Sequence, residues 1–138
     1  MIIAPVQTDQ AQHIIIEATD KKIAFEIGTL SFETVPVIHA AIDSGNAVAL
    51  MDASKLEYPL ILRKCKQGDY FYPLGMKKKK KLSKFFIDQK LSRTQKEKVW
   101  VLESNKRIAW ITGLRIDDRF KITPATTNAI RIQFEPLL

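Results

Sequence analysis

A chain of 138 residues with 46% apolar side chains has the size and composition of one folded domain, which excludes a disordered chain and removes the need for a disulfide or metal staple. The single cysteine, Cys65, excludes an internal disulfide and fits a reducing compartment. No apolar run has the length of a membrane span and the first residues lack the pattern of a signal peptide, so the expectation is a cytoplasmic protein with no membrane partner.

Residues 1–12 end in the polar run Gln7-Thr8-Asp9-Gln10 and read as a linker or frayed terminus, leaving 13–138 as a single domain. Residues 13–19 are rich in β-branched side chains (Ile14, Ile15, Ile16, Thr19) and predict a strand. Asp20-Lys21-Lys22 is turn chemistry. Ile23, Phe25 and Ile27 then alternate with Ala24 and Glu26, which predicts a half-buried strand pairing back as a hairpin. Gly28 and Pro36 punctuate the chain after this strand. Residues 37–42 fit a helical turn or a short strand, and Asp43-Ser44-Gly45-Asn46 fits a loop. Residues 47–51 read as a short buried strand and residues 52–56 as a small capped turn.

The next stretch, residues 60–88, organises the second half. An apolar-then-basic strand (60–66) runs into a Gly68-Asp69 turn, whose carboxylate suits capping of local N–H groups. The aromatic loop Tyr70-Phe71-Tyr72-Pro73-Leu74-Gly75-Met76 follows. Five consecutive lysines, Lys77, Lys78, Lys79, Lys80 and Lys81, lead into a helix whose Leu82, Phe85 and Phe86 form one apolar face at i, i+3 and i+4. Lys84 and Asp88 are spaced to pair on its other side. Ser92-Arg93-Thr94-Gln95 has the form of a capping box and predicts a second short helix to about Lys98. Residues 99–103 and 108–112 predict two strands of a hairpin, and residues 129–134 a last strand. Strands with a central helical pair make this an α+β domain, a small β-sandwich-like arrangement of two sheets.

Charge is unevenly spread along this chain. Residues 1–62 hold three basic and eight acidic side chains, and residues 63–138 hold nineteen basic and seven acidic. Such asymmetry points to a polyanion-binding face on the second half. The lysine run with Lys84, and Arg63, Lys64 and Lys66 close by in sequence, suits the backbone of a folded RNA, because a double-stranded stem is read by shape and phosphate rather than by base edges. Arg63, Arg93, Arg115 and Arg119 are candidates for paired hydrogen bonds to phosphate; for Arg115 and Arg119, ion pairs with Asp117 and Asp118 are the competing use. Tyr70, Phe71 and Tyr72 could stack on an exposed base or pack on their own core. Trp100 and Trp110 read as core. Asp117 and Asp118 are neighbours on a strand and point to opposite faces, so they are assigned structural placement rather than catalysis. His13 and His39 lack metal-ligand spacing. Cys65 follows two cations, which would favour its thiolate, but has no nearby histidine to make a nucleophile. No catalytic residue and no metal ligand is expected.

Several of these pieces, in order, resemble the C-terminal domain of bacterial tRNA(Ile)-lysidine synthetase. Arg63 stands ahead of Gly68-Asp69. Then come Pro73-Leu74-Gly75-Met76, Lys80-Lys81-Leu82, Phe85-Phe86-Ile87-Asp88, Val101-Leu102 and the run Ile108-Ala109-Trp110-Ile111-Thr112-Gly113-Leu114-Arg115-Ile116-Asp117. The likeness covers about residues 56–134. It departs from the family pattern where lysines replace a glycine ahead of Lys80, where Trp100 replaces a proline, and where Lys96 replaces an arginine in the second helix. The resemblance implies a sandwich similar to a domain of the phenylalanyl-tRNA synthetase β-subunit. It also implies a tRNA(Ile) partner held at its acceptor stem, with Lys96 added to the basic set, and a catalytic domain elsewhere in the same protein. That enzyme uses ATP to join lysine to the wobble cytidine. Its Ser-Gly-Gly-x-Asp-Ser loop has no counterpart here, where five glycines stand singly, so ATP and magnesium are expected on the catalytic part and not on this chain. Two other uses remain open. One is a docking or oligomerisation domain with weak non-specific RNA binding, whose acidic first half faces the catalytic part or a twin chain. The other is a small enzyme built on Asp117, Asp118 or Cys65.

Overall fold

Period-two alternation and continuous apolar runs divide the strands into two kinds, and the division decides the architecture. The computed structural model describes residues 13–39 and 47–137. The linker expected over 1–12 and the loop over 43–46 lie outside the described residues. Four strands, β1 (His13–Ile16), β5 (Leu60–Lys64), β8 (Trp100–Ser104) and β9 (Arg107–Ile111), join the two-residue β10 (Arg115–Ile116) in a five-stranded sheet ordered β1-β5-β8-β9-β10. A second sheet is ordered β2-β3-β11-β4, from β2 (Lys22–Phe25), β3 (Gly28–Pro36), β4 (Val48–Asp52) and β11 (Asn128–Pro136). The described pairings are antiparallel.

In the four-stranded sheet the buried residues alternate: Leu30 and Phe32, Ala49 and Met51, Ile130 and Ile132. One face is therefore apolar and the other wet. The apolar face packs on Ile16, Leu60, Leu62, Trp100, Leu102 and Trp110 of the five-stranded sheet, in one core. The strands β8 and β9 are apolar on both sides because both faces of their sheet are covered. Val101, Ile108 and Ile111 point away from the first core, into a second one formed with Phe71, Leu82, Phe85 and Phe86. Burial of each such large side chain contributes about 1.5–3 kcal/mol. That packing holds α1 (Leu82–Asp88), which at seven residues is far too short to persist alone. The result is three layers: sheet, sheet, and an outer layer of α1, α2 (Arg93–Glu97) and the hairpin of β6 (Tyr70–Phe71) and β7 (Lys80–Lys81).

Three expectations are corrected. Strand β1 does not form a hairpin with β2. It pairs with β5, His13 opposite Arg63 through Ile16 opposite Leu60, while β2 pairs with β3 in the other sheet. The turn comes earlier than the expected Asp20-Lys21-Lys22: β1 ends at Ile16, and residues 17–20 turn, closed by Asp20 N–H to the Glu17 carbonyl at 3.0 Å and Glu17 N–H to the Asp20 carboxylate at 2.8 Å, while Lys22 already opens β2. It hands the chain from one sheet to the other, a choice that local turn chemistry does not encode. Gly28 and Pro36, read as punctuation, are the two ends of β3, paired along their length with β11. Gly28 is required by closeness, since a Cβ there would lie 2.3 Å from the Glu135 carbonyl oxygen.

The remaining expectations fall close to the structure. Residues 37–39 make a 3-10 turn, and Asp52 caps another at Ala53–Lys55, accepting from Ser54 N–H at 2.9 Å. Both halves of the Ser92–Gln95 capping box are present. Trp100 and Trp110 are core.

Candidate nucleic-acid interface

The outer layer carries the basic side chains, and two aspartates fix it to the sheet. Asp69 closes the turn after β5. Its carboxylate accepts from Lys66 N–H at 2.7 Å and from Arg63 Nη1 and Nη2 at 2.9 and 3.1 Å, while its backbone carbonyl accepts the first helical N–H, of Leu82, at 2.9 Å. Gly68, at φ +91°, makes that turn in a region that favours glycine. Asp117 fixes the other end of the aromatic loop. It is fully buried and accepts from Tyr72 N–H at 2.9 Å, from Arg119 N–H at 2.7 Å, and from Arg119 Nε and Nη2 at 3.0 and 2.9 Å. Asp118 accepts from Gly75 N–H at 2.9 Å and pairs with Lys121 at 3.1 Å; that backbone bond first, and then Lys121, hold its carboxyl below the usual range. The Asp117-Asp118 pair is thus a clamp on the loop.

The twelve expected phosphate-binding residues separate into distinct roles. Arg63 is removed from the contact set: it is only 6% exposed, with Nε on Glu103 at 2.8 Å and the remaining bonds on Asp69 and the Lys64 carbonyl. Burial alone would loosen its proton, but the two carboxylates outweigh that and raise its pKa. Lys64 is half-buried and pairs with Glu26 at 3.0 Å. Lys80 pairs with Asp88, which was expected to pair with Lys84; β7 lays Lys80 against the helix, and this contact is the main cause of a lowered Asp88 pKa. Lys84 is exposed on α1. Arg115 lies with Cζ 5.5 Å from the Phe85 ring centroid, not in an ion pair with Asp117 or Asp118. Lys77, Lys78 and Lys79 are exposed in the turn before β7.

Lys66, Lys81, Arg93 and Lys96 come together. They line one open groove of about 760 Å³ between the Gly68 turn, α1 and α2, floored by Leu82, Phe86 and Cys65. All four are exposed, and none forms an ion pair among the described residues. The lining is largely apolar and the rim is cationic; of the two carboxylates that line it, Asp69 is held by Arg63 and the Lys66 N–H and Glu97 forms no ion pair among the described residues. Cys65 departs from expectation. Burial, then Asp69, pushes its thiol up, outweighing Arg63 and Lys64, which leaves it a neutral part of the groove floor. Among the described residues no cluster of His, Cys, Asp and Glu could hold a metal.

Residues 60–134 match the model of the TilS substrate C-terminal domain. The chain belongs to this family. Among curated relatives, the tRNA(Ile)-lysidine synthase of Parabacteroides distasonis is 41% identical over 116 residues, covering 83% of this chain and 26% of that protein. The tRNA(Ile)-lysidine synthase of Bacteroides thetaiotaomicron is 46% identical over 82 residues, 59% of this chain and 19% of that protein. The chain therefore spans about a quarter or less of the length of these relatives. A crystal structure of a TilS C-terminal domain superposes with a TM-score of 0.68 at 20% identity, covering 91% of this chain and 92% of that one. An N-terminal fragment of the phenylalanyl-tRNA synthetase β-subunit from Pyrococcus horikoshii gives 0.55 at 16% identity over 63% of this chain and 27% of the other. The fold is that of the TilS C-terminal domain, with the sandwich expected from the resemblance.

Within this TilS C-terminal domain, sequence reasoning missed Lys106 and Arg107. Strand spacing marks them only as part of the connection between residues 99–103 and 108–112. The Asn105-Lys106 turn, with both residues at positive φ (48° and 66°), carries them beside Tyr70 and Arg119 around a small cavity. Their separation in sequence from Tyr70 left no local signal.

Proposed function

We propose that this chain is the RNA-docking part of an ATP-dependent, cytoplasmic tRNA-modifying ligase that attaches lysine to tRNA(Ile), and that it holds the acceptor stem while a separate catalytic domain does the chemistry. The observation that carries the reading is the rim of Lys66, Lys81, Arg93 and Lys96 around one groove, continued by Lys77, Lys78 and Lys79 on the adjoining turn. Ammonium and guanidinium groups on a fixed scaffold release the counterions of a nucleic-acid backbone and favour stem shape over base sequence. The relatives' name supplies the substrate, isoleucine tRNA.

ATP and magnesium are assigned to the catalytic part, and the glycines with positive φ among the described residues support that assignment. Gly68, Gly75 and Gly113 each serve a separate turn at positive φ and form no cradle for a triphosphate.

Fluorescence anisotropy with isoleucine tRNA across a salt series tests the proposal. Affinity is expected to fall steeply with salt, by a log–log slope of about 0.9 per neutralised phosphate if duplex DNA is a guide. The combined variant Lys81→Ala, Arg93→Ala, Lys96→Ala flattens that slope by about 2 to 3. A folded chain that binds nothing, or binds independently of salt, overturns the reading.

A further inference from the structure

Away from the groove lies a second cationic surface, built around two tyrosines. Lys79 Nζ stands 4.7 Å from the centroid of the Tyr70 ring. Tyr70 meets Tyr72 edge to face, with centroids 6.4 Å apart at 73°. The Arg119 guanidinium covers Tyr72 at 4.3 Å. Beside this file is a cavity of about 100 Å³ bordered by Tyr70, Lys106, Arg107 and Arg119, and also by the Arg63–Asp69 pair.

Three properties make it more than a charged patch. First, three of its four cations have no carboxylate partner. Asp69 and Asp117, the neighbouring carboxylates, are already bound to Arg63 and Arg119. Lys79, Lys106 and Arg107 form no ion pair among the described residues, and Arg119 Nη1 makes no hydrogen bond there. Second, it is rigid. Tyr70 is paired with Lys81 in the hairpin, the Tyr72 backbone is tied to Asp117, and Lys106 sits in a two-residue turn. Third, Tyr70 is 43% exposed and the cation over its ring is a lysine on a flexible stem, which an arriving ring can displace.

We propose that this surface is a subsite for one unpaired nucleotide of an RNA, with its phosphate between Arg107 and Arg119 at the cavity and its base on the Tyr70 ring. A cavity of this size holds a few waters and so suits a phosphate-sized group rather than a ring. An aromatic face beside it suits a base whose own faces are free. Bases inside a stem are stacked on their neighbours, so only an end or a splayed nucleotide qualifies. The inference rests on the RNA-docking reading above and adds a single-stranded element to it. Lys79 leaves the ring for a neighbouring phosphate when the base arrives.

The test compares three short RNA duplexes of one sequence: blunt, with a single-stranded 3′ tail, and with a 5′ tail. Anisotropy gives affinity, and a 2-aminopurine in the tail reports stacking by quenching. One tail is expected to tighten binding by about 5- to 150-fold, the range of single base–aromatic stacks, with quenched 2-aminopurine. Tyr70→Leu and, independently, Arg107→Ala at an exposed position remove that gain while blunt-duplex affinity stays unchanged; Tyr70→Phe retains it. If the blunt duplex binds and neither tail adds anything, the subsite is overturned and the docking reading stands. If Tyr70→Leu weakens blunt and tailed duplexes alike, Tyr70 is only a structural support and the subsite is again overturned. If no duplex binds, both proposals fall together.

Discussion

The turn at Gly68-Asp69 and the turn at Asp117-Asp118 each rest on an arginine–aspartate pair with the aspartate inside, yet they bury the arginine to different depths. In Arg63–Asp69 both side chains are inside, 7% and 8% exposed; in Arg119–Asp117 the aspartate is at 0% and the arginine at 29%. Arg63 has its donors taken by Asp69, Glu103 and a carbonyl. Asp117 instead is the saturated partner, and Arg119 keeps Nη1 and lies on the Tyr72 ring. The lesson is that an arginine in a basic region is available to a phosphate only when its partners leave one of its donors free. Depth in the fold decides how many donors are taken.

The largest effect that would break this comparison is at Arg63. Arg63→Ala leaves the Glu103 carboxylate without its cation and Asp69 with only the Lys66 N–H, and is expected to cost about 3–5 kcal/mol in urea unfolding, while RNA affinity of the folded fraction changes little. A stable variant with lost RNA affinity would reverse the assignment. Asp117→Ala is next, at about 3 kcal/mol, because it strands the Tyr72 N–H and an arginine at once. Arg119→Ala leaves Asp117 its two backbone donors and costs only about 1–2 kcal/mol; equal losses from the two changes would dissolve the distinction between the pairs.

Asp52 provides a carboxylate held without arginine. It accepts from Ser54 N–H and Oγ at 2.9 and 2.8 Å and from Thr126 Oγ1 at 2.8 Å. Burial pushes its pKa up, but these hydrogen bonds outweigh burial and hold it below the ordinary value. A depressed carboxylate stabilises the fold above its unfolded pKa, about 3.9, and loses that contribution as pH falls through the folded value. The stability gap between the wild type and Asp52→Asn is therefore full at pH 7 and shrinks below about pH 4, measured by urea midpoints across pH. The smallest effect expected is Lys96→Arg in the groove. A fork in place of a point charge tightens RNA binding by about two- to five-fold with no change in salt slope, since the charge is the same.

The sequence carried much of the local structure in readable form. The i, i+3, i+4 face of Leu82, Phe85 and Phe86, the Ser92–Gln95 box and the paired strands around Asn105 are all short-range patterns, and each stands where its spacing implies. That β8 and β9 belong to a sheet covered on both faces emerged only from the tertiary structure. The polar loop was harder, because a basic residue looks the same in sequence whether it meets solvent or a buried acid. Arg63 and Lys81 both lie in the basic stretch, and one is inside while the other rims the groove.

Composition, charge asymmetry and ordered motifs were enough by themselves to give an α+β domain of this family with a cationic second half, since those depend on residue type and near-neighbour spacing. Which strand β1 pairs with, which arginine is locked away, and that Lys106 and Arg107 reach Tyr70 depended on contacts between residues far apart in the chain. Such contacts are set by the order of strands in the sheets, and strand order is selected by total burial rather than by any one segment.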